Sequence, residues 1–197
     1  MRRLIVCSLW TIVAGCGGAS PTTPTPPPGP VTFAGTVRDF QTQVPRAGVT
    51  VRLITEGTGV TATTVVTGLD GRYVATVDAT GGYAAFVGEL VAGTLRVTGP
   101  AYRGDLLTDS SGCTSRYGVV SDTRTLLPVA GASVTLRDQT RLTGEDGSYR
   151  IDLGCAPDFN FSTTFIAVTH PRYQQRQQVV GRGVQGVLRL DVDLTPN

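Results

Sequence analysis

Apolar and polar residues alternate along most of the chain with a period of two. Val49, Val51 and Leu53 fall on one side of the pattern, with Thr50 and Arg52 on the other. Tyr149, Ile151 and Leu153 alternate with Arg150 and Asp152, and Leu188, Leu190, Val192 and Leu194 alternate with Arg189, Asp191 and Asp193. Successive side chains of a strand point to opposite faces, so this period predicts short strands with one apolar face. No stretch after residue 30 has helical spacing, and Gly, Pro and Asp-Gly punctuate the runs. The expected fold class is all-β, built as two tandem antiparallel β-sandwiches.

The number two comes from an internal repeat. Residues 35–53 align with residues 118–136 without a gap, matching at Gly35/Gly118, Val37/Val120, Asp39/Asp122, Thr42/Thr125, Pro45/Pro128, Ala47/Ala130, Gly48/Gly131, Val51/Val134 and Leu53/Leu136. Thr67-Gly68-x-Asp70-Gly71-x-Tyr73 then meets Thr143-Gly144-x-Asp146-Gly147-x-Tyr149, and Val97-Thr98-x-Pro100-x-Tyr102 meets Val168-Thr169-x-Pro171-x-Tyr173. The expected boundaries are 31–111 for the first module and 112–197 for the second. Asp70-Gly71 and Asp146-Gly147 supply the positive φ of a tight hairpin turn. A calcium loop would need six or more closely spaced oxygens, and each turn offers one or two acids.

The combined pattern, G-x-V-x-D, then P-x-A-G-x-x-V-x-L, T-G-x-D-G-x-Y and V-T-x-P-x-Y, resembles the carboxypeptidase-regulatory-like domain, a transthyretin-like seven-stranded sandwich. The resemblance covers both repeats and implies that the motif residues are structural, with no catalytic residues and no cofactor. It also places the modules in a broad carbohydrate-binding-like fold group. The first repeat departs from the pattern after Tyr102, where only Leu106-Leu107 precedes Asp109-Ser110-Ser111-Gly112, so its last strand is open to question.

Ahead of the repeats, Arg2 and Arg3 precede an apolar run over residues 4–15, the layout of a secretory signal. A membrane-spanning helix needs about 20 apolar residues, more than this run holds. Val13-Ala14-Gly15-Cys16 resembles the bacterial lipobox, with Val13 where Leu is usual. The resemblance implies that residues 1–15 are removed and that Cys16 carries lipid. Gly17 stands where an Asp would mark inner-membrane retention, which favours the outer membrane. Residues 20–30, SPTTPTPPPGP, suit an extended polyproline II tether, so 16–30 reads as lipidated cysteine plus spacer.

Charge and chemistry narrow the functional classes. All 17 basic residues are Arg, and without Arg2 and Arg3 the remaining 15 equal the 15 acidic residues. That balance argues against nucleic acid, whose phosphates need a surplus of cations. With Cys7 in the signal and Cys16 lipidated, Cys113 and Cys155 remain, and export to an oxidising compartment predicts a disulfide between them. The single histidine, His170, aligns with Gly99 and reads as a turn residue rather than a catalytic base; no metal site or nucleophile motif accompanies it. Tyr73, Tyr149, Tyr102 and Tyr173 read as core, whereas Phe40, Tyr83, Phe86, Phe159 and Phe161 are free to be exposed. Phe159, Phe161 and Tyr83 are the candidate ligand-binding residues. Gln174-Gln175-Arg176-Gln177-Gln178 reads as a solvated strand or as amides for sugar hydroxyls. The expected function is a non-enzymatic envelope lipoprotein that displays two modules as spacer or protein-interaction domains. The alternative is a surface lipoprotein that binds carbohydrate. The membrane, through the lipid anchor, and an envelope protein or polysaccharide are the expected partners.

Overall fold

A computed structural model of the chain describes residues 29–109, 112–155, 164–180 and 186–197. Among them every regular element is a strand. In chain order these are β1 (Val31–Asp39), β2 (Thr50–Thr55), β3 (Thr61–Val66), β4 (Arg72–Val77), β5 (Gly81–Val87), β6 (Leu90–Val97), β7 (Leu106–Thr108), β8 (Thr114–Asp122), β9 (Ser133–Leu136), β10 (Gln139–Leu142), β11 (Ser148–Gly154), β12 (Thr164–His170), β13 (Tyr173–Val180), β14 (Val187–Leu190) and β15 (Val192–Leu194). The alternation seen in the sequence is the alternation of burial: β4 and β11 bury every second residue.

The first repeat packs the sheet β4-β1-β7 against β3-β2-β5-β6. Phe33, Val37, Ala75 and Leu106 from one sheet meet Val51, Leu53, Ala85 and Leu95 from the other in one core. The second repeat builds the same sandwich from β11-β8-β15 and β10-β9-β12-β13, around Val120, Ile151, Val134, Leu136, Ile166 and Leu194. The questioned last strand of the first repeat exists. It is β7, three residues long, and it runs parallel to β1 just as β15 runs parallel to β8. Within each repeat the sheets are therefore antiparallel except where its C-terminal segment closes back on its first strand.

The repeated residues have matching jobs. Asp39 Oδ1 accepts the backbone N–H groups of Gln41 and Thr42, and Asp122 Oδ1 those of Arg124 and Thr125. Thr67 Oγ1 donates to the Arg46 carbonyl and accepts from Val49 N; Thr143 does the same with Val129 and Ala132. The Tyr73 and Tyr149 hydroxyls donate to the carbonyls of Gly104 and Leu190, tying β4 and β11 to the closing strands. Those closing strands run so close to Gly35 and Gly118 that a Cβ at either glycine would strike the same two carbonyls.

Two expectations need correction. Gly71 and Gly147 do adopt positive φ, 72° and 71°, but Asp70-Gly71 and Asp146-Gly147 do not close hairpins. β3 pairs with β2 while β4 pairs with β1, so the turn carries the chain from one sheet to the other. Asp70 and Asp146 accept the N–H two residues on, and the Gly71 and Gly147 carbonyls accept from Val37 and Val120 across the sandwich. The third aligned block is likewise not a structural equivalence. Val168 pairs with Val134 on β9, and its counterpart by register is Val87, which pairs with Val51; Val97 lies on β6, two strands away from β2.

Candidate functional site

The two sandwiches meet along a strand. β14 lies between β8 of its own repeat and β6 of the other, parallel to both, so the sheet β3-β2-β5-β6 of the first repeat continues into β14-β8-β11 of the second. Gly93, at φ 132°, makes this possible: a Cβ there would lie within the Arg189 backbone. Around the seam, Phe40 and Leu107 of the first repeat pack with Cys113, Tyr117 and Val187, and the Arg150 guanidinium lies 4.2 Å from the Phe40 ring centre.

At the centre of the seam is the Asp191 carboxylate. It accepts Arg189 Nε at 2.9 Å, the Val119 N–H at 3.0 Å, the Arg96 N–H at 3.0 Å and the Tyr102 hydroxyl. Two donors come from each repeat. Arg189 also donates to the Asp105 carbonyl at 2.7 Å and lies 5.3 Å from the Tyr102 ring centre. Both charges are buried, and burial alone would lower the Arg189 guanidinium; Asp191 beside it overrides that and holds it above its ordinary range. Burial pushes the phenols of Tyr102 and Tyr117 up, so both stay protonated; the Tyr102 hydroxyl donates to Asp191, and the Tyr117 hydroxyl oxygen accepts the Leu107 N–H. A buried charge costs several kcal/mol unless paired and hydrogen-bonded, and here each carboxylate oxygen has two donors. The cluster is chemically saturated and holds the repeats together.

Beside the seam a groove of about 1100 Å³ opens, with Pro100, Tyr102 and Arg103 on one wall and Leu127, Leu142 and Arg150 on the other. Among the described residues no group of three or more His, Cys, Asp or Glu is placed to hold a metal ion.

No protein-family model matches the sequence, and no curated protein matches it. Similar solved structures include pilins. The Streptococcal ancillary pilin is 15% identical, with a TM-score of 0.33, over 85% of this chain and 62% of its own. The shaft pilin SpaA of Lactobacillus rhamnosus GG is 12% identical over 87% of this chain and 98% of its own, TM-score 0.32. The minor pilin GBS52 of Streptococcus agalactiae is 11% identical over 85% and 96%, TM-score 0.28. This chain thus spans 62% of the ancillary pilin's length, and likenesses at this level carry no functional inference.

The site residues expected from sequence fare differently. Cys113 and Cys155 are joined in a disulfide that ties the connector between the repeats to the end of β11. Tyr83 is not a surface residue: it sits on the inward face of β5, 4% exposed, and its hydroxyl donates to the Ala79 carbonyl, so it is withdrawn as a ligand-binding candidate. Phe40 is also buried, in the seam, and Phe86 lies beneath the Arg52 guanidinium, 5.1 Å from its ring centre. Cys16, Phe159 and Phe161 lie outside the described residues. His170 ends β12 at the turn into β13, where Nδ1 accepts the Arg172 N–H and the ring meets Tyr173 edge-on. Tyr102 and Tyr173 are only half-buried, and each donates to a carboxylate, Asp191 and Asp122 respectively. The Asp191 cluster was not anticipated, although Arg103-x-Asp105 and Arg189-x-Asp191 occupy the same place in the two repeats.

Proposed function

We propose that this chain is a lipid-anchored envelope protein in which two carboxypeptidase-regulatory-like modules, residues 31–111 and 112–197, form a single non-enzymatic display unit. Cys16 carries the lipid, favouring the outer membrane, and residues 17–30 hold the unit off the bilayer. Two acyl chains or more are needed for stable anchoring, and lipoprotein modification provides them. The observation that supports a display role is the seam: the buried Arg189 and Asp191 charges are spent on joining the repeats through a shared sheet. A continuous sheet across two modules resists bending between them, which suits a spacer or docking body.

Membrane fractionation of cells expressing the full chain tests this reading. The wild type is expected in the envelope fraction, acylated, and Cys16→Ser is expected in the soluble fraction. Acylation that survives Cys16→Ser would overturn the anchor assignment.

A further inference from the structure

The outer faces of the two β2-type sheets differ in chemistry. On the first repeat, Arg52 covers Phe86 and pairs with Glu89, while Arg96 pairs with Glu56 and Asp193. On the second, the strand residues on the corresponding face of β10-β9-β12-β13 are uncharged, and Arg137 is the residue that follows β9. Thr135 faces Thr140 across one ladder and Ala167 across the next, Ala167 faces Gln177, and Leu142 stands beside Ser133. Phe165 is on this face too, 51% exposed, opposite Val179. Its counterpart in the first repeat by register is Ala84, so the ring has no equivalent there. The inward residues of the same strands, Val134, Leu136, Ile166 and Val168, fill the core. Arg176 pairs in register with inward-facing Val168 and acts on Asp193, away from the face.

We infer that this face of the second repeat binds a neutral polysaccharide strand, with Phe165 stacking on the apolar side of a sugar ring and Thr135, Thr140 and Gln177 bonding its hydroxyls. The occupant follows from the chemistry of the face. A pyranose presents C–H groups on its flat sides and hydroxyls at its rim. An exposed ring beside the small Ala167, with hydroxyls and an amide in the same plane, matches both. The absence of charge on these residues fits an uncharged ligand and disfavours an acidic peptide. A protein partner would want a contiguous apolar centre. Here Phe165 and Leu142 stand at opposite corners, separated by two strands and four residues, about 10 Å by 13 Å, with polar groups between them. The hydroxyls of Thr135 on β9 and Thr140 on β10 already bond each other at 3.0 Å, which orients them and leaves acceptor capacity on each. The inference goes beyond the display role and does not depend on the lipid anchor.

Affinity electrophoresis of the full chain through gels containing glycogen, hydroxyethylcellulose, galactomannan or arabinoxylan tests it. Retardation by at least one polymer is expected. Phe165→Ala and Phe165→Leu should both abolish that retardation, while Gln177→Ala should weaken it by about fivefold, one hydrogen bond's worth. Phe86→Ala should leave it unchanged. Phe165 is solvent-exposed, so its variants should melt with the wild type, and Phe165→Leu keeps the apolar bulk while removing the ring. No retardation in any polymer, or equal retardation by the Phe165 variants, would overturn the assignment. So would a Phe165-dependent crosslink to an envelope protein without retardation, which would point to a protein partner.

Discussion

Arg103-Gly104-Asp105-Leu106 and Arg189-Leu190-Asp191-Val192 are the same segment in two repeats, and they end in opposite environments. Asp105 bonds the Thr36 N–H of β1, as Asp191 bonds the Val119 N–H of β8. The side chains of Arg103 and Asp105 are 79% and 42% exposed, whereas those of Arg189 and Asp191 are 4% and 1% exposed. The difference is the neighbour. β6 of the first repeat lies against β14, and nothing comparable lies against Arg103 among the described residues. A carboxylate that orders one closing strand in the first repeat becomes, in the second, the joint between two domains. Identical local chemistry thus acquires a different role through what packs on it.

The largest effect expected from breaking this contrast is at Asp191. Asp191→Ala leaves Arg189 buried and unpaired and should cost about 3–5 kcal/mol, while Asp105→Ala, at the exposed equivalent, should cost about 1 kcal/mol. Chemical denaturation of the two variants side by side measures both; equal losses would erase the distinction. Replacing Cys113 and Cys155 together by Ser should cost about 2–4 kcal/mol and fall on the second repeat, which hydrogen exchange resolves by segment. Gly93→Val forces β6 and β14 apart and should cost about 1–3 kcal/mol, with exchange protection lost at the seam before either core. Tyr102→Phe removes one of four donors to Asp191, at about 1 kcal/mol.

The smallest effect is with pH. Backbone N–H groups hold Asp39 and Asp122 below the ordinary value of 3.8, led by Thr42 and Thr125, and the Ser148 hydroxyl does the same for Asp146. A lowered folded-state pKa stabilises the fold above the ordinary carboxylate value, and that contribution is lost as pH falls through the lowered one. Burial raises Asp193, which works in the opposite sense. Melting temperature should therefore fall below about pH 4, with Asp39→Asn and Asp122→Asn flattening the profile.

What was legible in the sequence was local. The period of two marked the core strands, and the Asp, Thr and Gly signals marked turns, because those residues bond their own neighbours in the chain. The Cys113–Cys155 pairing was legible because few cysteines remained to pair. The seam was not, since β6 and β14 are nearly a hundred residues apart and a period of two says only that Arg189, Asp191 and Asp193 share a face. Whether that face meets water or another domain depends on long-range pairing. Tyr83 and Phe40 were misread for the same reason, since each is buried by residues distant in sequence: Tyr83 in the core with Val31 and Leu106, Phe40 against Cys113 and Val187. The third aligned block failed because Thr-x-Pro-x-Tyr occurs after two different strands, and only the register separates them.

Scanning calorimetry of the full chain tests the central claim, that the Asp191 joint makes one body of two repeats. The wild type should unfold in one endotherm whose calorimetric and van't Hoff enthalpies agree, and Asp191→Ala should split it in two. Two separate endotherms in the wild type would contradict the account.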